Sequence, residues 1–246
     1  VTTLHGRLDL PDLQPFYRAF PHLPLVSISN AQRQPMPPVN WLGTVHHGLP
    51  EGLLPLTHKA NGGYLAFLGR ISPEKRPDRA IEIAKRAGAQ LKIAAKIDRV
   101  DRPYWNERIE PLVRAHANVE YIGEIGESEK PAFLGGASAL LFPIDWEEPF
   151  GLVMIEAMAC GTPVIAYGRG SVPEVIDDGE SGFVVHSIDE AVRAVSRLDT
   201  LPRTSVRDTF EARFTADRMA DDYLEIYRLL AARRRSTGSG MQAIAV

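Results

Sequence analysis

The stretch Glu148-Pro149-Phe150-Gly151-Leu152-Val153-Met154-Ile155-Glu156, continued by Ala157-Met158-Ala159-Cys160-Gly161-Thr162-Pro163-Val164-Ile165-Ala166, decides how the whole chain is read. A Pro-x-Gly turn opens an apolar helix, and a Gly-Thr-Pro break turns that helix into an apolar strand. If the span were helical throughout, a rise of about 1.5 Å per residue would set the two glutamate backbones roughly 12 Å apart. Carboxyl pairs that share one glycosidic bond in retaining hydrolases stand roughly 5 Å apart. Glu148 and Glu156 are therefore expected to hold two ends of one long polar ligand, with the positive helix N-terminus near its anionic middle. A nucleotide-sugar has that shape: sugar, diphosphate, ribose. Most glutamates on helices are solvated. Glu156, however, lies among Val153, Met154, Ile155, Ala157, Met158 and Ala159, where a carboxylate costs several kcal/mol unless a partner satisfies it.

Outward from this element, short apolar runs recur between amphipathic stretches. They are Tyr64–Leu68, Leu91–Ala95, Val119–Ile122, Ala139–Phe142, Pro163–Ala166 and Gly182–Val185. Most are continuous rather than alternating, the pattern of strands covered on both faces of a parallel sheet. Helices are expected between them over Arg76–Ala87, Tyr104–His116, Ser128–Gly135 and Glu190–Leu198. This alternation predicts a Rossmann-like, doubly wound α/β domain over residues 50–214. A last helix, Ala216–Arg235, repeats Met219, Tyr223, Ile226, Tyr227 and Leu230 at helical spacing and is expected to pack. Its basic tip Arg233-Arg234-Arg235 is expected to be a solvated end suited to the helix dipole, and Ser236–Gly240 a flexible tail. Residues 215–246 are thus read as a terminal helix and tail.

Residues 1–49 read differently. Three strands (Val1–Leu4, Leu25–Ile28, Trp41–Val45) and a helix (Leu13–Phe20) are punctuated by prolines. So few elements make a poor stand-alone domain and leave an unpaired sheet edge. The expectation is a partial N-terminal α/β domain, the remnant of a larger one. It would associate with its missing segment, or form a dimer through the exposed edge. The opening Val1 in place of Met also suggests a fragment or processed piece.

The chain has 246 residues, a formal net charge of −3 and 44% hydrophobic residues, enough for a sizeable core. The near-neutral balance argues against a nucleic-acid partner. The single cysteine, Cys160, excludes a disulfide framework, reads as a small core residue and fits a cytoplasmic setting. No transmembrane run and no signal peptide are evident. No metal is expected: His46-His47 is a poor chelating pair.

Phosphate chemistry is expected where the first strand of the α/β domain ends, in Leu68-Gly69-Arg70-Ile71-Ser72-Pro73-Glu74-Lys75-Arg76-Pro77. Ligands of open α/β sheets bind beyond the carboxyl ends of strands. Gly69 permits a close turn, Arg70 can fork onto two phosphate oxygens, and Lys75 adds a mobile charge. Pro77 suits a first helical turn. No Gly-x-Gly-x-x-Gly follows that strand and no Gly-Lys-Ser/Thr loop occurs, which weakens a dinucleotide dehydrogenase or an NTPase. In a later loop, Gly168-Arg169-Gly170 allows close approach of a ligand, and Ser171 is expected to cap the short helix begun by Pro173-Glu174. Lys96, after the second strand, reads as a solvated lysine.

Taken in order, Phe67-Leu68-Gly69-Arg70 with Glu74-Lys75, then Glu148 through Ala166, then Gly170–Ile176 with Gly179 and Ser181-Gly182-Phe183, resemble the C-terminal half of the retaining glycosyltransferases of family 4, which have the GT-B fold. Residues 1–49 are similar to the end of that family's N-terminal domain. The resemblance implies a hexosyl-type transfer from a UDP- or GDP-sugar to an acceptor of unknown identity, without a cofactor or metal ion. It implies that Arg70 and Lys75 hold the diphosphate, that Glu148 contacts the donor sugar, that the amides of Phe150, Gly151 and Leu152 bind sugar and phosphate, and that Glu156 binds ribose. It also implies retention by front-side displacement, with no protein nucleophile. The family's glycine-rich N-terminal loop and upstream histidine have no counterpart in this chain. His5 lies on a later strand and is not promoted to catalyst, and His47 stands where an asparagine is frequent. Two rivals are a non-catalytic nucleotide-sugar-binding module and a nucleotide-sugar epimerase. The latter would need acid/base groups at the sugar that this half does not visibly supply.

Overall fold

The computed structural model describes residues 1–239. Two all-parallel sheets organise it. The smaller has the order β1-β2-β3, from Thr2–Leu4, Leu25–Ser27 and Trp41–Thr44, with helix α1 (Leu13–Ala19) crossing between the first two strands. The larger has the order β6-β5-β4-β7-β8-β9, from β4 (Tyr64–Arg70), β5 (Gln90–Lys96), β6 (Val119–Gly123), β7 (Ala139–Phe142), β8 (Val164–Tyr167) and β9 (Gly182–Val185). The crossovers are α2 (Pro77–Ala87), the broken helix α3 (Arg102–Tyr104) and α4 (Glu110–Ala115), α5 (Lys130–Gly136), α6 (Leu152–Ala159) and α7 (Val172–Val175). Three helices follow: α8 (Ile188–Val195), α9 (Arg203–Arg213) and α10 (Ala216–Ser239). This is the Rossmann-like doubly wound arrangement expected from the continuous apolar runs. β7 and β8 are buried at every position.

The sheet reverses winding between β4 and β7, which pair only over Leu65↔Ala139 and Ala66↔Leu140. Beyond those pairs the strands part and a crevice opens at their carboxyl ends, the expected ligand position of such a sheet. The core beneath is one contiguous apolar cluster that includes Leu65, Ile93, Leu140, Met158, Ile165 and Cys160. Cys160 is fully buried, and burial pushes its thiol up to about 11.

The sequence expectations need correction in four places. The segment from Glu148 to Glu156 is not helical throughout: α6 begins only at Leu152, after Gly151 takes a left-handed φ of 81°. A β-carbon there would press on the Met154 Cε and Phe142 ring. The helix expected over Tyr104–His116 starts earlier and contains a π-helical stretch, Trp105–Ile109, between α3 and α4. Ser171 does not cap α7. Its hydroxyl donates instead to the Phe150 carbonyl at 2.8 Å, because Ser171 is itself in the right-handed helical region and its side chain turns inward. Finally, α10 runs through Ser239 into the stretch expected as a flexible tail, since no proline interrupts it. The side chains of Arg233, Arg234 and Arg235, and residues from Gly240 onward, lie outside the described residues.

Helix α10 does not rest on the larger sheet. Its Ile226 joins Val26 and Val45 in a second apolar cluster, flanked by Leu42, Met219, Tyr223 and Leu230, and Tyr223 hydrogen-bonds Thr3 at 2.8 Å. No helix among the described residues is long and apolar enough to cross a membrane.

Candidate functional site

The crevice at the winding switch is a cleft of about 360 Å³. Its floor comes from Leu68, Gly69 and Arg70 at the end of β4 and from Phe142 at the end of β7. One wall is the turn Glu148–Val153 that enters α6, and the opposite lip comes from the small sheet through His5, Gly6 and Arg7. A second cavity of about 360 Å³ adjoins it and shares Leu68, Gly69, Leu152 and Val153. Lys96, Glu124, Lys130 and Glu156 line this second part. The two cavities together form an elongated trough along the start of α6.

The structure brings Lys75 and Glu148 together across the first cavity. The Lys75 ammonium pairs with Glu148 Oε2, and the Trp146 indole N–H donates to the same oxygen at 3.1 Å. Lys75 also lies 5.4 Å from the Phe142 ring centroid and 5.1 Å from that of Trp146, a cation–π box that holds the ammonium in place. Glu148 is only 8% exposed, so these two donors satisfy a carboxylate that burial would otherwise penalise. Its Oε1 has no protein partner among the described residues.

Glu156 repeats the arrangement in the second cavity. It emerges from the apolar α6 and accepts from Lys130 at 2.8 Å through Oε1. Burial pulls the Lys130 ammonium down, but its hydrogen bonds to Glu127 and Glu156 outweigh that and leave it raised. Lys130 was not legible as a site residue. A lysine at the start of an amphipathic helix resembles any solvated one, and its partner lies far along the sequence. Trp146 was missed too, though a tryptophan two residues before the first glutamate was a usable signal.

Arg70 reaches the cleft mouth, but carboxylates surround it: Glu74 at 3.2 Å, Asp98 at 3.6 Å and Asp101 at 3.9 Å. Burial and the nearby Glu74 hold Asp101 above the ordinary carboxylate range. Lys96 is largely exposed and bonded to Asp98 at 3.0 Å. Phe150 is buried beneath the cleft, its ring edge-on to His47 at 4.9 Å. Leu152, the first residue of α6, is exposed. Gly170 lets the loop after β8 pass tightly under Glu148: Ser171 N–H donates to the Glu148 carbonyl at 2.9 Å, and a β-carbon at Gly170 would collide with that backbone.

The small sheet is fastened to this wall. Ser29 donates its hydroxyl to the Pro149 carbonyl at 2.6 Å. Glu174 of α7 accepts from the amides of Asn30 and Ala31 at 2.8 and 2.7 Å and contacts His46 at 3.3 Å. Burial alone would raise the Glu174 carboxyl, but the His46, Asn30 and Ala31 contacts outweigh it and hold the group low. His5 stacks on His47 at 5.2 Å. His47 is pushed down to about 4, by burial first and then by its neighbours His5 and His46. Glu174 thus carries a structural duty that its place in a short helix did not announce.

This architecture and this trough are shared with known proteins. The chain is 29% identical over 191 residues to an α-maltose-1-phosphate synthase of Mycolicibacterium smegmatis, covering 70% of this chain and 49% of that one. It is 32% identical over 204 residues to a D-inositol 3-phosphate glycosyltransferase of Salinispora arenicola, covering 73% and 42%. It therefore spans about half the length of these curated relatives. Among solved structures, AviGT4, a glycosyltransferase involved in avilamycin A biosynthesis, superposes with a TM-score of 0.70 at 26% identity, over 85% of this chain and 64% of that one. Anabaena Alr3699/HepE in complex with UDP and glucose shares the fold, with a TM-score of 0.77 at 17% identity over 92% and 70%. The family model for glycosyl transferases group 1 matches residues 55–208, a span that holds β4 through β9, Arg70, Lys75 and both glutamates of the trough. With more than half its length inside that match, the chain belongs to the glycosyl transferases group 1 family.

Proposed function

We propose that this chain forms the donor-binding half of a retaining, family 4 glycosyltransferase that uses a nucleotide-diphosphate sugar, UDP- or GDP-linked. One observation carries the reading. Two half-buried or buried carboxylates, Glu148 and Glu156, line adjoining cavities, and each keeps one oxygen without a protein partner while a lysine holds the other. Such an oxygen accepts hydrogen bonds from ligand hydroxyls. In this reading Glu148 receives the sugar hydroxyls and Glu156 the ribose hydroxyls. The diphosphate lies between them, against Lys75, Arg70 and the amides of Gly151 and Leu152 at the α6 N-terminus. A diphosphate must then compete with Glu74, Asp98 and Asp101 for the Arg70 guanidinium.

The transfer follows from that placement. The acceptor oxygen bonds to the anomeric carbon on the face from which the diphosphate oxygen departs. The acceptor's proton passes to that departing oxygen, and Lys75 and Arg70 stabilise the charge that develops on it. Configuration is retained and no covalent enzyme intermediate forms. Residues 1–49 stand on the acceptor side and residues 50–214 on the donor side. A cytoplasmic location is part of the proposal, in keeping with an unpaired cysteine.

Isothermal titration with UDP, GDP and their sugars tests it. Arg70→Ala and Glu156→Ala are each expected to weaken diphosphate binding about tenfold or more, the scale of a charge-assisted hydrogen bond. Equal affinities in parent and variants would overturn the assignment. Binding without sugar transfer is expected of this donor-binding half taken alone, since catalysis needs both halves of the cleft.

A further inference from the structure

A third polar cavity, of about 340 Å³, shares no lining residue with either part of the donor trough. Arg79 of α2, Asp145, Tyr167 at the end of β8, Gly168, Arg169 and His186 form its walls. Arg79 is tightly held. It donates to the Pro143 and Ile144 carbonyls at 3.0 and 3.2 Å, and its guanidinium stacks over the Tyr167 ring at 4.4 Å. Arg169 is more than half exposed and reaches Asp145 and Glu147 only at 3.8 Å. Arg79 meets Asp145 at 3.4 Å. These separations exceed those of a well-formed charge-assisted hydrogen bond.

The wall also contains an unmet donor. Tyr167 is 6% exposed, and its hydroxyl has no hydrogen-bond partner among the described residues. Burial pushes this phenol up, so it keeps its proton. A buried hydroxyl without a partner is costly and calls for an explanation. The side chains of the cavity are Arg79, Arg169 and His186 against Asp145, whose Oδ2 also accepts from Arg76 at 2.9 Å, with Glu147 beside Arg169 and Glu190 at the His186 amide. Such a wall offers donors and asks for an acceptor with several oxygens.

We propose that this cavity is an oxyanion site, distinct from the donor trough, that takes the phosphoryl group of a small phosphorylated molecule or free phosphate. Arg79 is a fixed donor at its base, Arg169 closes on the anion from the exposed side, and Tyr167 directs its hydroxyl to one oxygen. Where the phosphate is carried on a polyol, Asp145 accepts from a neighbouring hydroxyl.

The test is titration of the full chain with inorganic phosphate, glycerol 3-phosphate and glycerol, with and without saturating UDP. Both phosphates are expected to bind in the millimolar range, the scale of a few exposed charge contacts, and to keep binding when UDP is present. Arg169→Ala should weaken phosphate about tenfold, and Tyr167→Phe, which removes one oxygen and no packing, about threefold. Tighter binding of glycerol 3-phosphate than of phosphate would assign the site to a phosphorylated polyol, and equal binding to phosphate itself. Glycerol should not bind. The proposal fails if phosphate does not bind, if UDP displaces it, or if neither variant changes its affinity. UDP affinity in the two variants is the control for folding.

Discussion

Lys75 and Glu148 are best understood as one unit. The lysine lies in a loop after β4 and the glutamate in a loop after β7, so their pairing joins the two strands at whose carboxyl ends the crevice opens. Removing one partner leaves the other charge poorly solvated, and for buried pairs that costs more than the pair contributes. With both side chains a tenth or more exposed, we expect Lys75→Met to lower unfolding free energy by about 2 kcal/mol. The double variant Lys75→Met, Glu148→Gln should recover at least half of that loss while donor binding stays abolished. Chemical denaturation of the three variants checks the stability arm, and titration with UDP the binding arm. If stability were unchanged in the single variant, the pair would not be the anchor described. The same logic explains why Glu156 survives within an apolar helix: Lys130 offsets it, and α6 can bury its other faces in the core.

Among the elements, α9 illustrates how a connection is locked. Its first residue, Arg203, donates to the carbonyls of Thr57, Ala137, Gly135 and Cys160 and to the Thr162 hydroxyl. Burial holds this guanidinium below its ordinary value. One turn on, Arg207 donates to Leu54, Ala159 and Glu51. These two side chains pin the irregular segment before β4 to the ends of α5 and α6. Arg203→Met should strand several of those acceptors and lower the melting temperature by roughly 5–10 °C, the equivalent of about 3 kcal/mol in a chain this size. A shift under about 2 °C, the equivalent of less than about 1 kcal/mol in a chain this size, would count against that role. No pattern in the sequence marked Arg203, because the carbonyls it serves come from three separate segments. The strands were legible for the opposite reason. Leu140-Leu141-Phe142 and Val164-Ile165-Ala166 are apolar on both faces, and their recurrence between amphipathic stretches is the pattern of a doubly covered parallel sheet. The Glu148–Glu156 spacing gave the trough its two ends. It could not give their lysine partners, nor the non-helical entry at Gly151, because those depend on chain segments brought together only by the fold.

For the molecule as a whole, the junction between the two sheets is a place where stability is coupled to pH. His5, His46 and His47 meet there beside Phe150 and Phe214. His47 titrates at about 4 in the folded protein and at about 6.5 when unfolded. As pH falls, the unfolded chain therefore takes up this proton first. The contribution of His47 is fully present above roughly pH 6.5 and is lost as pH falls toward 4. His47→Gln should show a smaller drop in melting temperature than the parent between about pH 7 and about pH 4.5, read by differential scanning calorimetry. Parallel curves would show that His47 is not the group responsible. Glu174, held low by His46 and the amides of Asn30 and Ala31, adds an acid-side loss of its own once its carboxylate protonates.

At that junction the polypeptide passes between the two sheets twice. Leu49 donates to the Phe214 carbonyl at 2.9 Å and accepts from the Ala216 amide at 2.8 Å. Gly48 presses so closely on Thr215 that no side chain would fit between them. A body pinned at one point is free to spin. One pinned by two strings laid side by side can swing like a door and resists being wrung. Swinging the lip that bears His5 and Arg7 away from α6 would, however, also require breaking the Ser29–Pro149 and Glu174–Asn30/Ala31 hydrogen bonds and lifting Arg7 off the Trp146 ring, so the mouth of the trough is held at a set width.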